Sequence, residues 1–239
     1  MPQYLIVSFI IFMAVFVQSL SGFGMPLVAM ALIPAIIGIH IATPLVAMVM
    51  ASIEVFLLIH YWHAINIRAV VPIVLASIIG IPFGIWLSNR LDEGLVMAIL
   101  GFVISAFALY ALLNIRLPQL NHPAWAYLFG LMGGVLGGAY NTSGPPVIIY
   151  GNCRRWPPAE FKGNMQGFYI LTSFMVAIGH IWNGNLTPEV WQYYLWSIPA
   201  MALAIFAGTR LDKYLNPESF RKVVLLLLLG LGVNLIRVI

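Results

Sequence analysis

The sequence predicts an all-α polytopic membrane protein: two inverted repeats of about five helical segments each, with broken half-helices at the Gly/Pro motifs. Three observations carry this. The 239 residues are 62% hydrophobic and only 8% charged, whereas a soluble domain carries roughly a quarter charged residues. Apolar stretches of about 16 to 20 residues follow one another almost without pause. The halves also repeat each other in order. Gly24 and Pro26 match Gly144 and Pro146, and His60 and Trp62 match His180 and Trp182, all 120 residues apart. "GIWLSNRLD" (84–92) then matches "GTRLDKYLN" (208–216) at a spacing of 124. The repeats are residues 1–116 and 117–239, forming one integral membrane domain with no soluble domain.

The elements follow in order. An apolar segment at 4–20 lacks a basic n-region and a small-residue cleavage site, so it reads as a retained helix and not a signal peptide. A break at 21–24 leads to a short segment at 25–38, then to helices at 42–60, 69–88 and 94–113. The second half repeats the plan with 123–140, a break at 141–144, a short segment at 145–152, and helices at 163–182, 190–209 and 220–238. Five segments is an odd number, so the second repeat enters the membrane from the opposite side. The loop charges agree. Arg154, Arg155 and Lys162, then Arg210, Lys213, Arg221 and Lys222, mark two cytoplasmic loops, and the loop between them carries only Glu189. In the first half, Arg68 and Arg116 belong inside, and the loop with Arg90, Asp92 and Glu93 outside.

The breaks read "QSLSGFGMP" (18–26) and "AYNTSGPP" (139–146). In hydrocarbon an unsatisfied backbone group costs several kcal/mol, so irregular backbone belongs only in packed protein or beside a cavity. Glycine permits odd dihedrals, proline suits the first turn of a helix, and Ser, Thr and Asn cap free N–H groups or face a ligand. Each break therefore feeds a half-helix that begins near Met25–Pro26 or Pro145–Pro146. A helix N-terminus carries about half a positive charge. Two such ends from inverted repeats, meeting near the bilayer midplane, match the plan of transporters with discontinuous helices and favour an anion. The substrate-binding candidates are Ser21, Gly22, Gly24 and Met25 at the first break, with Gln18 and Ser19 just upstream. At the second they are Tyr140, Asn141, Thr142, Ser143 and Gly144, joined by Gln166 from the following helix.

These glycine–proline motifs, with "GLMGGVLGGAYNTSGPPVIIY" (130–150) and "RLDKYLNPESFRKVVLLLLLGLG" (210–232), resemble the sulfite exporter TauE/SafE family of membrane permeases, also called the toluene-sulfonate uptake permease family. The resemblance covers essentially the whole chain. It implies transport of sulfite, sulfonates such as sulfoacetate, or other sulfur-containing organic anions across a prokaryotic inner membrane. The residues alone point only to an anion-friendly site.

Three titratable residues are candidates for proton coupling or gating. Glu54 lies within an apolar helix, where a carboxylate is a functional candidate by default. His60 and His180 are pseudo-symmetric and titrate near physiological pH, although their places at helix ends, each two residues before a Trp, favour interfacial anchoring. Coupled protons or other ions and the lipid bilayer are thus the expected partners, and small size suggests a homodimer.

The net charge of +4 sits in short loops and does not point to nucleic acid. A single cysteine, Cys153, allows no internal disulfide. No phosphate-binding G-x-x-x-x-G-K-[ST] loop is present, and the residues suggest no cofactor, metal or catalytic group. Two other readings stay open. A passive anion channel could use the same helix ends. An intramembrane serine hydrolase could pair Ser143 with His180, but the position equivalent to Ser143 in the first repeat is Phe23 while the glycine and proline persist.

Overall fold

A computed structural model describes residues 2–115, 117–211 and 217–237, with the side chains of 60–61 and 217–221 outside that description. The described residues are helical and joined by short links. The order is α1 (Pro2–Ser21), α2 (Met25–Leu32), α3 (Pro34–Ile37), α4 (Ile39–Tyr61), a 3₁₀ turn (Trp62–Ala64), α5 (Ile67–Ser88), α6 (Glu93–Leu113), α7 (Ala124–Tyr140), α8 (Gly144–Cys153), α9 (Pro158–Trp182), α10 (Pro188–Leu211) and α11 (Pro217–Arg237). Among them α1, α5, α6, α10 and residues Ile39–Ile59 of α4 are long and apolar enough to cross a membrane. Large apolar side chains such as Ile79, Phe83, Phe102, Leu203 and Phe206 point outward, as a lipid solvent allows and water does not. The chain is a multi-pass membrane protein.

Three of the boundaries that differ from the sequence reading have a visible cause. The short segment 25–38 divides at Ile33, because Pro34 opens a new helix and Gly38 then ends it with φ 76°. Helix α4 begins at Ile39, not 42: the Glu93 carboxylate accepts the Ile39 N–H at 3.1 Å and supplies the negative charge that a helix N-terminus favours. Helix α9 begins at Pro158, five residues earlier than expected, so Lys162 lies within the helix and not in a loop. Proline at the first helical position is preorganised for that start.

The helices form two compact units, each drawing on both sequence halves. The first comprises residues Met1–Val46, Arg90–Ile115 and Leu186–Ile239. In it α1 packs on α10 and α6 on α11. Tyr4 Oη donates to Gln192 Oε1 at 2.9 Å, and Ser8 Oγ donates to the Trp196 carbonyl at 3.1 Å. The α6–α11 contact is close because both partners are glycine: a Cβ on Gly101 would fall 2.6 Å from the Gly232 carbonyl oxygen.

The second unit comprises Ala47–Asn89 and Arg116–Asn185. Its spine is α5 against α7, packed backbone to backbone through Gly80, Gly84, Gly130, Gly134 and Gly138. A Cβ on Gly134 would lie 2.6 Å from the Ser77 carbonyl oxygen. The Ser77 hydroxyl itself lies 2.8 Å from both the Ile73 and the Gly130 carbonyls. Small residues let helix backbones approach in this way where no hydrophobic driving force separates lipid from protein.

Candidate functional site

Both breaks are tips of helical hairpins. In the first unit, Gln3 Nε2 donates to the Ile36 carbonyl at 3.2 Å, so α3 ends beside the start of α1. In the second unit, Arg154 Nη1 donates to the Leu120 and Asn121 carbonyls at 2.9 and 3.2 Å, and the Leu120 N–H donates to the Cys153 carbonyl at 3.3 Å. Helix α8 thus returns to the start of α7. A Cβ on Gly133 would meet Val147 Cγ2 at 3.2 Å and one on Gly137 would meet Ser143 Cβ at 3.0 Å, so α8 runs back along a glycine face of α7. Arg154 ties these two helix ends together and is not a free cation.

The first tip is largely self-satisfied. Gly22 and Gly24 take φ of 77° and 109°, a region costly to residues with a Cβ. The Met25 N–H donates to Gln18 Oε1 at 3.0 Å, which caps α2. The Ser21 hydroxyl reaches the Val17 carbonyl at 2.7 Å and the Phe23 carbonyl. The small cavity beside the tip is bounded by apolar side chains, among them Val17, Phe23, Leu225 and Leu228, together with Ser21 and Gly24.

The second tip differs. Asn141 ends α7 with φ 57°, and the Thr142 N–H reaches back to the Leu136 carbonyl at 3.2 Å. Ser143 is the N-cap of α8 but its side chain makes no capping bond. Thr142 is fully buried and its hydroxyl has no hydrogen-bond partner. Pro145 and Pro146 carry no N–H, which thins the backbone donors at this end and leaves the hydroxyls more prominent. Beside the tip lies a cavity of about 10 Å³, room for one water-sized sphere. Asn141, Ser143, Tyr169, Thr172 and Ser173 supply its polar wall, and Met50 lies on its apolar side.

Three of those residues, Tyr169, Thr172 and Ser173, were not singled out as site residues in the sequence. They belong to a buried stripe on α9 that also holds Gln166 and His180. The signal that could have found Tyr169 and Ser173 is spacing: 166, 169, 173, 176 and 180 fall on one helix face, and four of these five are polar. Tyr140 is buried at the end of α7, beside the break.

The titratable candidates separate. Glu54, on α4, is fully buried. His180 is buried, whereas Trp182 two residues on is 85% exposed, so only the tryptophan stands where an interfacial anchor would. Asn185 Nδ2 and His180 Nδ1 are hydrogen-bonded at 2.9 Å, so the Nδ1 side of the ring is taken. Its Nε2 has no partner, so no bond joins His180 to Ser143 and the dyad a serine hydrolase would need is absent. The side chains of His60 and Arg221, and residues Arg116 and Lys213, lie outside the described residues.

A family model described as "Sulfite exporter TauE/SafE" matches residues 7–235. The chain is 25% identical over 224 residues to "Probable sulfite/organosulfonate exporter TauE" of Cupriavidus necator, covering 91% of this chain and 88% of that protein. It is 24% identical over 177 residues to "Probable inner membrane transporter protein TsaS" of Comamonas testosteroni, covering 73% and 72% respectively. No solved structure matches.

Proposed function

The chain belongs to the sulfite exporter TauE/SafE family, and from that premise we propose that it is a secondary carrier of small organosulfur anions such as sulfite, sulfoacetate or other sulfonates. It is a membrane transporter and not an enzyme. The observation that carries the proposal is the second tip. A helix N-terminus, with its fractional positive charge, begins beside a buried hydroxyl that has no partner. Tyr140, Asn141, Thr142, Ser143, Gly144 and Gln166 form this site, with Tyr169, Thr172 and Ser173 facing it. Ser21, Gly22, Gly24 and Met25 form the corresponding tip of the first repeat.

The cavity holds one water-sized sphere, so a sulfonate enters only when the surrounding helices move. That requirement supports alternating access over an open channel. Inversion of the repeats is supported by parity. Each hairpin returns to its own starting side, and three long helices follow it, so the second repeat begins on the opposite side from the first. On that topology the described Lys and Arg residues other than Arg90 and Arg237 fall on one side, which is the cytoplasmic side. The exchange of partners supports the duplication: α1 packs on α10 as α7 packs on α5. The inner membrane is the expected location, as in the relative named for it, and Glu54 is the proposed carrier of any coupled proton.

Counterflow in proteoliposomes tests this reading with sulfite, taurine, isethionate, sulfoacetate, acetate and a cationic control. Accumulation of a sulfur oxyanion, saturable and exchangeable, with neither acetate nor the cation carried, is the expected result. Continuous conductance without exchange would replace the carrier with a channel.

A further inference from the structure

We infer that the open cleft where α5 and α9 begin binds the headgroup of a zwitterionic phospholipid of the phosphatidylethanolamine type, with Arg68 holding the phosphate and Glu160 the ammonium. This does not depend on the carrier reading. The cleft lies wholly within the second unit and measures about 600 Å³, the size of a small-molecule site. Its walls are residues 63–68 and the start of α9. These two walls are pinned together. The Asn66 N–H donates to Asn164 Oδ1 at 2.8 Å, and Asn66 Nδ2 donates to Glu160 Oε1 at 3.0 Å. A Cβ on Gly163 would fall 2.5 Å from the Ala64 carbonyl oxygen, so the link sits directly on α9.

Two opposite charges line this cleft without neutralising each other. Arg68 is exposed, and among the described residues it makes no hydrogen bond or ion pair. Glu160 is half-buried, and its Oε1 accepts from the neutral amides of Asn66 and, at 3.4 Å, Asn164. Among the described residues nothing bonds its Oε2. A guanidinium presents paired N–H donors that match a phosphate, and an open carboxylate oxygen accepts from a primary ammonium. A purely anionic headgroup would meet Glu160 with its own sign, and the quaternary ammonium of choline has no N–H to give. The occupant is a lipid because apolar surface continues from the cleft. Ile67 lines it and is 70% exposed. Val71 and Leu75 follow at four-residue steps on the same outward face of α5. That track is about 12 Å long at 1.5 Å per residue, most of a leaflet roughly 15 Å deep. The exposed Trp62 lies against His63 at the cleft, ring centroids 3.8 Å apart, where an interfacial anchor belongs.

Native mass spectrometry of the full-length protein in detergent measures retention of dioleoyl-phosphatidylethanolamine against the phosphatidylcholine and phosphatidylglycerol with the same chains. The ethanolamine lipid is expected to bind roughly ten-fold more tightly than either, the worth of one charge-assisted hydrogen bond. Arg68→Gln should weaken it by a similar factor. Glu160→Gln keeps an acceptor for Asn66 and should bring the ethanolamine and choline lipids to equal affinity. Lys222→Gln, which removes one charge in the other unit, should change nothing. Equal retention of the three lipids by the unaltered protein overturns the inference. So does an Arg68→Gln protein that binds the ethanolamine lipid as before, or a Glu160→Gln protein that still prefers it to the choline lipid. Displacement of the bound lipid by millimolar O-phosphoethanolamine also overturns it, and assigns the cleft to a soluble zwitterion. Should Glu160→Gln fail to fold, Arg68→Gln decides alone, because Arg68 bonds no described neighbour.

Discussion

The Tyr169 hydroxyl lies against the first residue of α8, so that a Cβ built on Gly144 would fall 2.6 Å from the Tyr169 oxygen. With the hydroxyl removed, the next tyrosine atom is the ring carbon at 3.6 Å, an ordinary contact. Gly144→Ala should therefore reduce flux more than ten-fold and cost about 1–3 kcal/mol by overpacking. Adding Tyr169→Phe should restore the melting temperature in detergent without restoring flux, because the relieved clash also removes a donor to the substrate. Recovery of both would make Tyr169 a packing residue only.

Gly24 occupies the matching place in the first repeat for a different reason. Its φ of 109° is the constraint, with Val17 Cγ1 at 3.2 Å from a built Cβ as a lesser one. Gly24→Ala should cost about 1–2 kcal/mol of stability from the left-handed backbone. Flux per folded molecule should fall less than in Gly144→Ala. Thermal unfolding and counterflow, normalised to inserted protein, separate the two effects.

The spine of the second unit predicts a sharper contrast. Gly134→Ala drives a Cβ to 2.6 Å from the Ser77 carbonyl oxygen, and backbone on both sides leaves no side chain to yield. Folded, monodisperse protein should be lost on gel filtration. Gly230→Ala is the control: nothing lies within 4 Å of its Cβ, and the change should be neutral or stabilising by up to about 1 kcal/mol through helix propensity.

Glu54 carries the prediction on energy coupling. Glu54→Gln keeps the volume and removes the proton-binding carboxylate. Accumulation driven by a pH gradient should disappear while isethionate counterflow persists. Loss of both together would instead assign Glu54 a structural role, which its burial would also accommodate.

Much of this was legible in the sequence, and the particular residues show why. Both tips were found because Gly and Pro announce a broken backbone in an apolar run. The start of α9 at Pro158 was missed because Arg154, Arg155 and Lys162 read as a charged loop, although proline at a first helical turn was the contrary signal. The pairing of Gly24 with Gly144 was visible, but not that one serves a dihedral and the other a contact. The second reason lives in Tyr169, twenty-five residues away and brought near only by the packing of α9. Gln18 was placed near the first tip, yet its bond to the Met25 N–H needs the turn to be folded before it exists. His180 looked interfacial because it neighbours Trp182; a helix turns 100° per residue, and the two face different surroundings.

The pairing of α1 with α10 has a consequence for how the protein is made. Helix α10 begins at Pro188, 167 residues after α1 ends at Ser21, which at about 5–20 residues per second is roughly 8–33 s of synthesis. By contrast α7 begins only 36 residues after α5 ends, so the glycine spine can close within seconds of its second helix emerging. During translation Tyr4 and Ser8 wait in the membrane for partners that the ribosome has not yet made. Until then α1 is held by its own hairpin partner α2 and by the lipid around it.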